Sequence, residues 1–329
     1  MVTRQKRVAP SIYIRLKTPQ KYLRKIEELS SRVIVEPWNW REPEPEVSFD
    51  ISDCDVIFTL GVQDHLNILK KAPHVKWVHS SSVGIDAMLH EEIVSHDLII
   101  TNSKGCTSIP IAEHTMAMMS GLARGIPGMA KRQLNNEWHV SKVKELYNAT
   151  LGIIGYGEIG SEIAKRAKAF GMHVIGCRRN PDKSKENEYA DHIVGMRNIN
   201  DVLKQSDYVV LALPSTAETI NLMNKERLRF MKEGSFLINV GRGNTINDDD
   251  LIDAIREGHL AGAALDVFDE EPLPKSHPFW SIDNILISPH LAYYSPKNLD
   301  RIMSLFIHNL EQYIAGNPLK NVVNKKMGY

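Results

Sequence analysis

From Ser11 onward, short β-branched runs alternate with longer stretches whose apolar residues recur at helical spacing. That alternation is the signature of parallel sheets covered by helices. In the first part, strands are expected at Ser11–Leu16, Asp55–Leu60, Val75–Ser80 and Leu98–Thr101. Pro37–Glu46, with two tryptophans and three prolines, reads as an irregular loop, because proline denies donors to a sheet and breaks helices. Ser108 to Asn136 predicts a long helix or helix pair: Ile111, Thr115, Met118, Met119 and Leu122 share a face, Pro110 suits a first turn, and Gly121, Gly125, Pro127 and Gly128 then interrupt it. Beyond it, apolar runs at Leu151–Gly155, His173–Cys177, Tyr208–Leu213, Ser235–Val240, Gly262–Val267 and Asn284–Ser288 predict a second, larger parallel sheet. The expected fold class is α/β, with two doubly wound parallel-sheet domains.

Composition narrows the function classes. A chain of 329 residues, 43% hydrophobic and 24% charged, suits two domains with a core in each. Its 40 basic residues balance 40 acidic ones, which removes the overall electrostatic footprint of a nucleic-acid binder but leaves a local basic patch open. Cys54, Cys106 and Cys177 build neither a disulfide framework nor a zinc spacing, so a reducing cytoplasm is expected. Arg4, Lys6 and Arg7 precede Val8-Ala9-Pro10 rather than an apolar h-region; neither a secretory signal nor a lipidation motif is read there. No run of about 18 apolar residues predicts a spanning helix.

The strongest local signal is Leu151-Gly152-Ile153-Ile154-Gly155-Tyr156-Gly157-Glu158-Ile159-Gly160. A strand runs into Gly155-x-Gly157-x-x-Gly160 and a helix follows, the dinucleotide fingerprint in its proper context. Gly155 permits the tight turn, Gly157 lets the backbone approach a pyrophosphate, and Gly160 lets helix pack on sheet. The helix N-terminus supplies N–H donors and positive dipole. Where the second strand ends, Arg178 and Arg179 stand in place of the acidic residue that receives ribose hydroxyls. Two guanidiniums suit a 2′-phosphate, hence NADP rather than NAD; the alternative is a solvated basic turn. Three further segments follow strand ends: Asn239-Val240-Gly241-Arg242-Gly243, Ala264 to Pro272, and Ser288-Pro289-His290-Leu291-Ala292. Arg242 between glycines suits a carboxylate clamp, and Glu271 is placed to orient and charge His290.

Taken together, these motifs resemble the D-isomer-specific 2-hydroxyacid dehydrogenases, of the glyoxylate/hydroxypyruvate reductase kind. Val83-Gly84-Ile85-Asp86 resembles the family's substrate-carboxylate loop and Ile111-Ala112-Glu113-His114 its interdomain helix, so the likeness covers nearly the whole chain. The resemblance implies a flavodoxin-like substrate domain, residues 1–103 plus 293–329, into which a Rossmann dinucleotide domain, residues 104–292, is inserted. It makes Arg242 the substrate clamp, His290 the proton donor and Glu271 its partner. Substrate contacts are implied at Val83 and Gly84. Cofactor contacts are implied at Gly155, Gly157, Glu158, Ile159, Gly160, Arg178, Arg179, Leu213, Pro214, Val240, Gly241 and Asp266, with Asp266 meeting the nicotinamide carboxamide.

The implied reaction is NADPH-dependent reduction of a small 2-keto acid to the D-2-hydroxy acid, with no step that needs a metal. The implied assembly is a homodimer without nucleic-acid or membrane partners. Trp138 lies where relatives exchange dimer contacts, with a buried anchor as the other role, and the apolar Met116–Met119 stretch either joins that interface or fills the core. The rival class is a dinucleotide-sensing binding protein like the C-terminal-binding-protein corepressors, which keep the same three residues. A chain that ends at Tyr329 without a long disordered tail is expected to be an enzyme.

Overall fold

Buried β-branched runs pair as parallel strands because both faces of the sheet are covered by helices. In the computed structural model, residues 8–39, 42–43, 45–61, 66–85, 88, 91–140, 142–181 and 189–325 are described. Arg4, Lys6, Arg7, Trp40, Asp86 and Tyr329 lie outside them. The chain divides into two compact units, one of Met1–Cys106 with Ser295–Tyr329 and one of Thr107–Tyr294.

The first unit holds β1 (Ser11–Ile14), β2 (Arg32–Val35), β3 (Val56–Thr59), β4 (Trp77–Ser80) and β5 (Ile99–Thr101), all parallel, in the order β2-β1-β3-β4-β5. That is the flavodoxin-like order. The helix Asn298–Ile314 covers one face: Phe306 stacks on Phe58 at 4.2 Å and on Trp77 at 5.4 Å. Full burial of such rings contributes about 1.5–3 kcal/mol each. In the irregular stretch after β2, the Trp38 indole donates to the carbonyls of Glu42 and Pro43 at 3.2 Å each.

The second unit holds β6 (Thr150–Ile154), β7 (His173–Arg178), β8 (His192–Gly195), β9 (Tyr208–Leu211), β10 (Ser235–Asn239), β11 (Leu260–Leu265) and β12 (Ile285–Ile287). Their order, β12-β11-β10-β9-β6-β7-β8, is all parallel and doubly wound. The direction of strand addition reverses between β6 and β9, so the crevice above their carboxyl ends is the topological switch point where ligands bind in open α/β sheets. A helix pair, Ser108–Ala123 and Ile126–Leu134, precedes this sheet, broken at Gly125 with φ +67°. Met116, Met118 and Met119 are buried in this unit's core, the core-filling alternative for that stretch.

Two edge strands, β2 and β8, are absent from the pattern reading. Edge strands expose one side, so β8 runs from an exposed His192 through three half-buried residues instead of forming a buried run. Val33-Ile34-Val35 in β2 does carry the β-branched signal.

Candidate active site

The candidate site residues of the second unit gather along one edge. Gly155 follows β6, Arg178 ends β7, Leu213 and Pro214 follow β9, Val240 to Gly243 follow β10, Asp266 follows β11, and His290 follows β12. In a parallel sheet all these are carboxyl ends, so loops from six strands converge above one edge.

At the switch point the backbone needs glycine. Gly155 has φ +100°, and a Cβ there would stand 2.4 Å from the Ala212 carbonyl oxygen. Gly157 differs: a Cβ there would meet nothing within 4 Å. It precedes the helix Glu158–Ala169, whose N-terminus lacks a side-chain cap and whose first N–H groups, including those of Glu158, Ile159 and Gly160, have no intrahelical partner. Open space facing N–H donors at a positive helix end fits a pyrophosphate. The residues present therefore fit a dinucleotide. Tyr156 packs over Gly176, and burial pushes its phenol up to about 12, partly offset by a hydrogen bond with Ser161 and by the charge of Arg178. Arg179, one residue beyond β7, pairs with Glu218 at 2.8 Å.

The turn that presents Arg242 is pinned from beneath. Asn239, fully buried, accepts the Gly241 N–H at 3.0 Å and donates its amide to the Arg242 carbonyl at 2.9 Å. The Thr245 hydroxyl donates to the same carbonyl. A Cβ on Gly243 would overlap the Phe268 carbonyl carbon at 1.9 Å, so only glycine lets this turn meet the loop that carries Glu271. The Arg242 guanidinium donates to the Gly241 carbonyl at 2.9 Å.

His290 and Glu271 meet as the sequence suggests. His290 Nδ1 lies 2.7 Å from Glu271 Oε2, and the other carboxylate oxygen accepts the Phe268 N–H at 2.9 Å. Burial raises the Glu271 carboxyl, but the His290 and Phe268 hydrogen bonds and the charges of His290 and Arg242 outweigh it, and the net shift is downward. Glu271 is thus held as a carboxylate. With Nδ1 engaged there, Nε2 is the ring nitrogen left for chemistry.

The loop of His290 is held in an uncommon shape. His290 has φ +50°, a left-handed conformation that costs about 1–3 kcal/mol in a non-glycine residue unless its surroundings enforce it. The enforcing group is Asp266, 1% exposed, whose two carboxylate oxygens accept the N–H groups of Leu291 at 2.8 Å and Ala292 at 3.0 Å. Asp266, which the resemblance sets at the nicotinamide carboxamide, thus ties the end of β11 to the loop of His290 by accepting two consecutive N–H groups. His114 Nε2 stands 3.5 Å from Asp266 Oδ1 without a hydrogen bond.

In the first unit, Val83 and Gly84 follow β4 at its carboxyl end. Their loop is tied by Asn102, whose amide donates to the Val83 carbonyl at 2.9 Å, and by Ser103 N–H, which donates to the Ser82 carbonyl at 3.1 Å. The roles of Asn239, Asp266 and Asn102 in holding loops escape sequence reading, although Asn239 and Asp266 stand inside the quoted motifs.

Comparison with known proteins agrees with this architecture. The family model for the D-isomer specific 2-hydroxyacid dehydrogenase NAD binding domain matches residues 116–292. The glyoxylate reductase of Pyrococcus furiosus is 31% identical over 330 residues, covering 97% of this chain and 96% of that one. The D-3-phosphoglycerate dehydrogenase of Methanocaldococcus jannaschii is 33% identical over 277 residues, covering 83% of this chain, which spans about half (52%) of that longer relative. The crystal structure of a D-isomer specific 2-hydroxyacid dehydrogenase from Xanthobacter autotrophicus Py2, in complex with NADPH and MES, superposes with a TM-score of 0.84 at 28% identity, covering 98% of this chain and 100% of that one. The chain belongs to the D-isomer specific 2-hydroxyacid dehydrogenase family and is an NAD(P)-dependent oxidoreductase of that family.

Proposed function

We propose that this protein reduces a small 2-keto acid to the D-2-hydroxy acid with NADPH, and that His290 supplies the proton. The observation that carries this reading is the 2.7 Å His290–Glu271 pair at a strand end, with Arg242 presented by the neighbouring glycine turn. A bound nicotinamide supplies the hydride that C2 of the keto acid accepts. Arg242 grips the substrate carboxylate through its planar fork and fixes the carbonyl in one orientation. His290, charged and oriented by Glu271, hands a proton from Nε2 to the oxygen forming at C2. Asp266 and Asn239 act through those two residues, as positioning groups for their loops. On the first unit, Val83 and Gly84 carry proposed substrate contacts. The fingerprint turn and the loops of Leu213, Pro214, Val240 and Gly241 hold the dinucleotide. The corepressor-like alternative is not favoured, since the relatives that cover the chain end to end are reductases.

The cofactor preference rests on Arg178 and Arg179 at the end of β7, the strand next to the fingerprint. Charge-assisted hydrogen bonds to a phosphate are worth about 1.5–3 kcal/mol each, and exposure reduces that. The expected kcat/KM for NADPH exceeds that for NADH by about tenfold to a hundredfold, and Arg178→Asp reverses the order. A wild-type protein that prefers NADH makes the arginines a solvated turn.

We further propose a homodimer formed through the helix Ile126–Leu134 and the segment after it. Ile126, Met129, Leu134, Trp138 and Val140 are exposed there, Trp138 completely (100%), and such a patch marks an association surface. Light scattering at micromolar concentration should give twice the 37.2 kDa chain mass; a monomer mass rejects the dimer. Among the described residues no helix is long and apolar enough to cross a membrane. The three buried, free cysteines support a reducing, cytoplasmic setting.

A further inference from the structure

Glu218 belongs to the segment between β9 and β10, and Arg179 follows β7. In the sheet, β9 and β7 lie on either side of β6. The 2.8 Å contact between Arg179 Nη2 and Glu218 Oε2 therefore spans the carboxyl end of β6, across the turn Gly155-Tyr156-Gly157. The segment that presents Glu218 is tightly built. The Thr219 hydroxyl donates to the Pro214 carbonyl at 2.8 Å and accepts the Thr216 N–H at 2.8 Å, and Asn244 donates to the Ser215 hydroxyl at 2.9 Å. Glu218 is thus carried on a fixed turn at the switch-point crevice.

The geometry points to Glu218 as a selectivity residue that competes with a cofactor 2′-phosphate for Arg179. This inference rests on the NADP reading of Arg178 and Arg179. Two arginines bring two positive charges to the end of β7, and Glu218 cancels one of them. A dianionic 2′-phosphate must take Arg179 from Glu218 or share it, and in either case it stands near a carboxylate of like sign. A ribose with a free 2′-hydroxyl meets no such repulsion. Arg179 and Glu218 are 47% and 75% exposed, so their pair is weak and screened by salt. Exchange is therefore cheap: Glu218 moderates the preference for the phosphorylated cofactor without abolishing it, and parks Arg179 over the crevice when no phosphate is present.

The test uses adenosine fragments, so it does not depend on turnover. Isothermal titration of the full-length protein with adenosine 2′,5′-bisphosphate and with 5′-AMP gives the contribution of the 2′-phosphate as a ratio of Kd values. Glu218→Gln removes the charge and keeps an amide acceptor. It is expected to tighten adenosine 2′,5′-bisphosphate by about two- to fivefold at low salt, the range of an exposed ion pair, with 5′-AMP unchanged and the gain shrinking as salt rises. In an Arg179→Gln background the same substitution is expected to be silent toward the 2′-phosphate. If the wild-type protein binds the bisphosphate more tightly than 5′-AMP but Glu218→Gln leaves the ratio unchanged or lowers it, the role of Glu218 is overturned and the NADP reading survives. If the wild-type protein has no preference for the bisphosphate, the NADP reading itself falls, and this inference with it.

Discussion

Replacing His290 by alanine is expected to lower kcat for keto-acid reduction by about 100-fold or more, the usual scale for loss of a general acid. The proton must reach the oxygen at C2 as negative charge builds there, and the proposed donor, His290, is held on three sides. Glu271 engages Nδ1 at 2.7 Å, Asp266 fixes the next two N–H groups, and the backbone is kept at φ +50°. Of the described non-glycine residues with positive φ, the other four are asparagines, which adopt this conformation more readily. Because the imidazole is half-exposed rather than packed in the core, removing it should leave the melting temperature nearly unchanged. The loss should therefore appear in kcat and not in folding. Glu271→Gln keeps a hydrogen-bond acceptor but removes the charge that favours the imidazolium. Reduction by this variant should be slower than by the wild-type protein, since the proposed donor loses its ion partner. Near-normal turnover of the His290 variant at neutral pH contradicts the assignment; wild-type turnover in the Glu271 variant means another group orients His290.

Arg242→Ala is expected to lower kcat/KM by about a hundredfold to ten-thousandfold. Two charge-assisted hydrogen bonds to a carboxylate are worth about 3–6 kcal/mol together, and each 1.4 kcal/mol is tenfold. Arg242→Lys should fall between the wild-type protein and the alanine variant, because a lysine ammonium keeps the charge but not the planar fork. The substitution should act on substrate rather than on fold: the turn is held by Asn239, Thr245 and the close approach of Gly243 to Phe268, all through backbone groups that the variant keeps. Kinetics that separate kcat from KM check this, since loss of a uniform binding contact raises KM, and loss of an orienting contact also lowers kcat. A drop of less than about tenfold for the alanine variant would show that the carboxylate is held elsewhere.

Much of this site is legible from residue order because it consists of strand ends. A parallel strand announces itself as an apolar run, and Gly155, Arg242 and His290 each come within three residues of the end of one. The edge strand β8 is harder to read because its exposure dilutes the run. Asn239 holds its turn locally, but the contacts that tie one loop to another leave no local signal. Asp266 accepts N–H groups 25 and 26 residues away along the chain, and Arg179 meets Glu218 across 39 residues. Such contacts exist only once the sheet has brought strand ends side by side. The methionines of the helix Ser108–Ala123 illustrate the converse: an apolar stretch reads equally as interface or core, and only packing separates the two.

The most direct test of the account is the initial rate of NADPH oxidation by the purified protein with a panel of 2-keto acids: glyoxylate, hydroxypyruvate, pyruvate, branched 2-keto acids and 2-ketopantoate. The account predicts NADPH consumption with at least one of them, a D-configured 2-hydroxy acid as product, and loss of that rate in the His290→Ala protein. A folded wild-type protein that oxidises neither NADPH nor NADH with any member of the panel would contradict it.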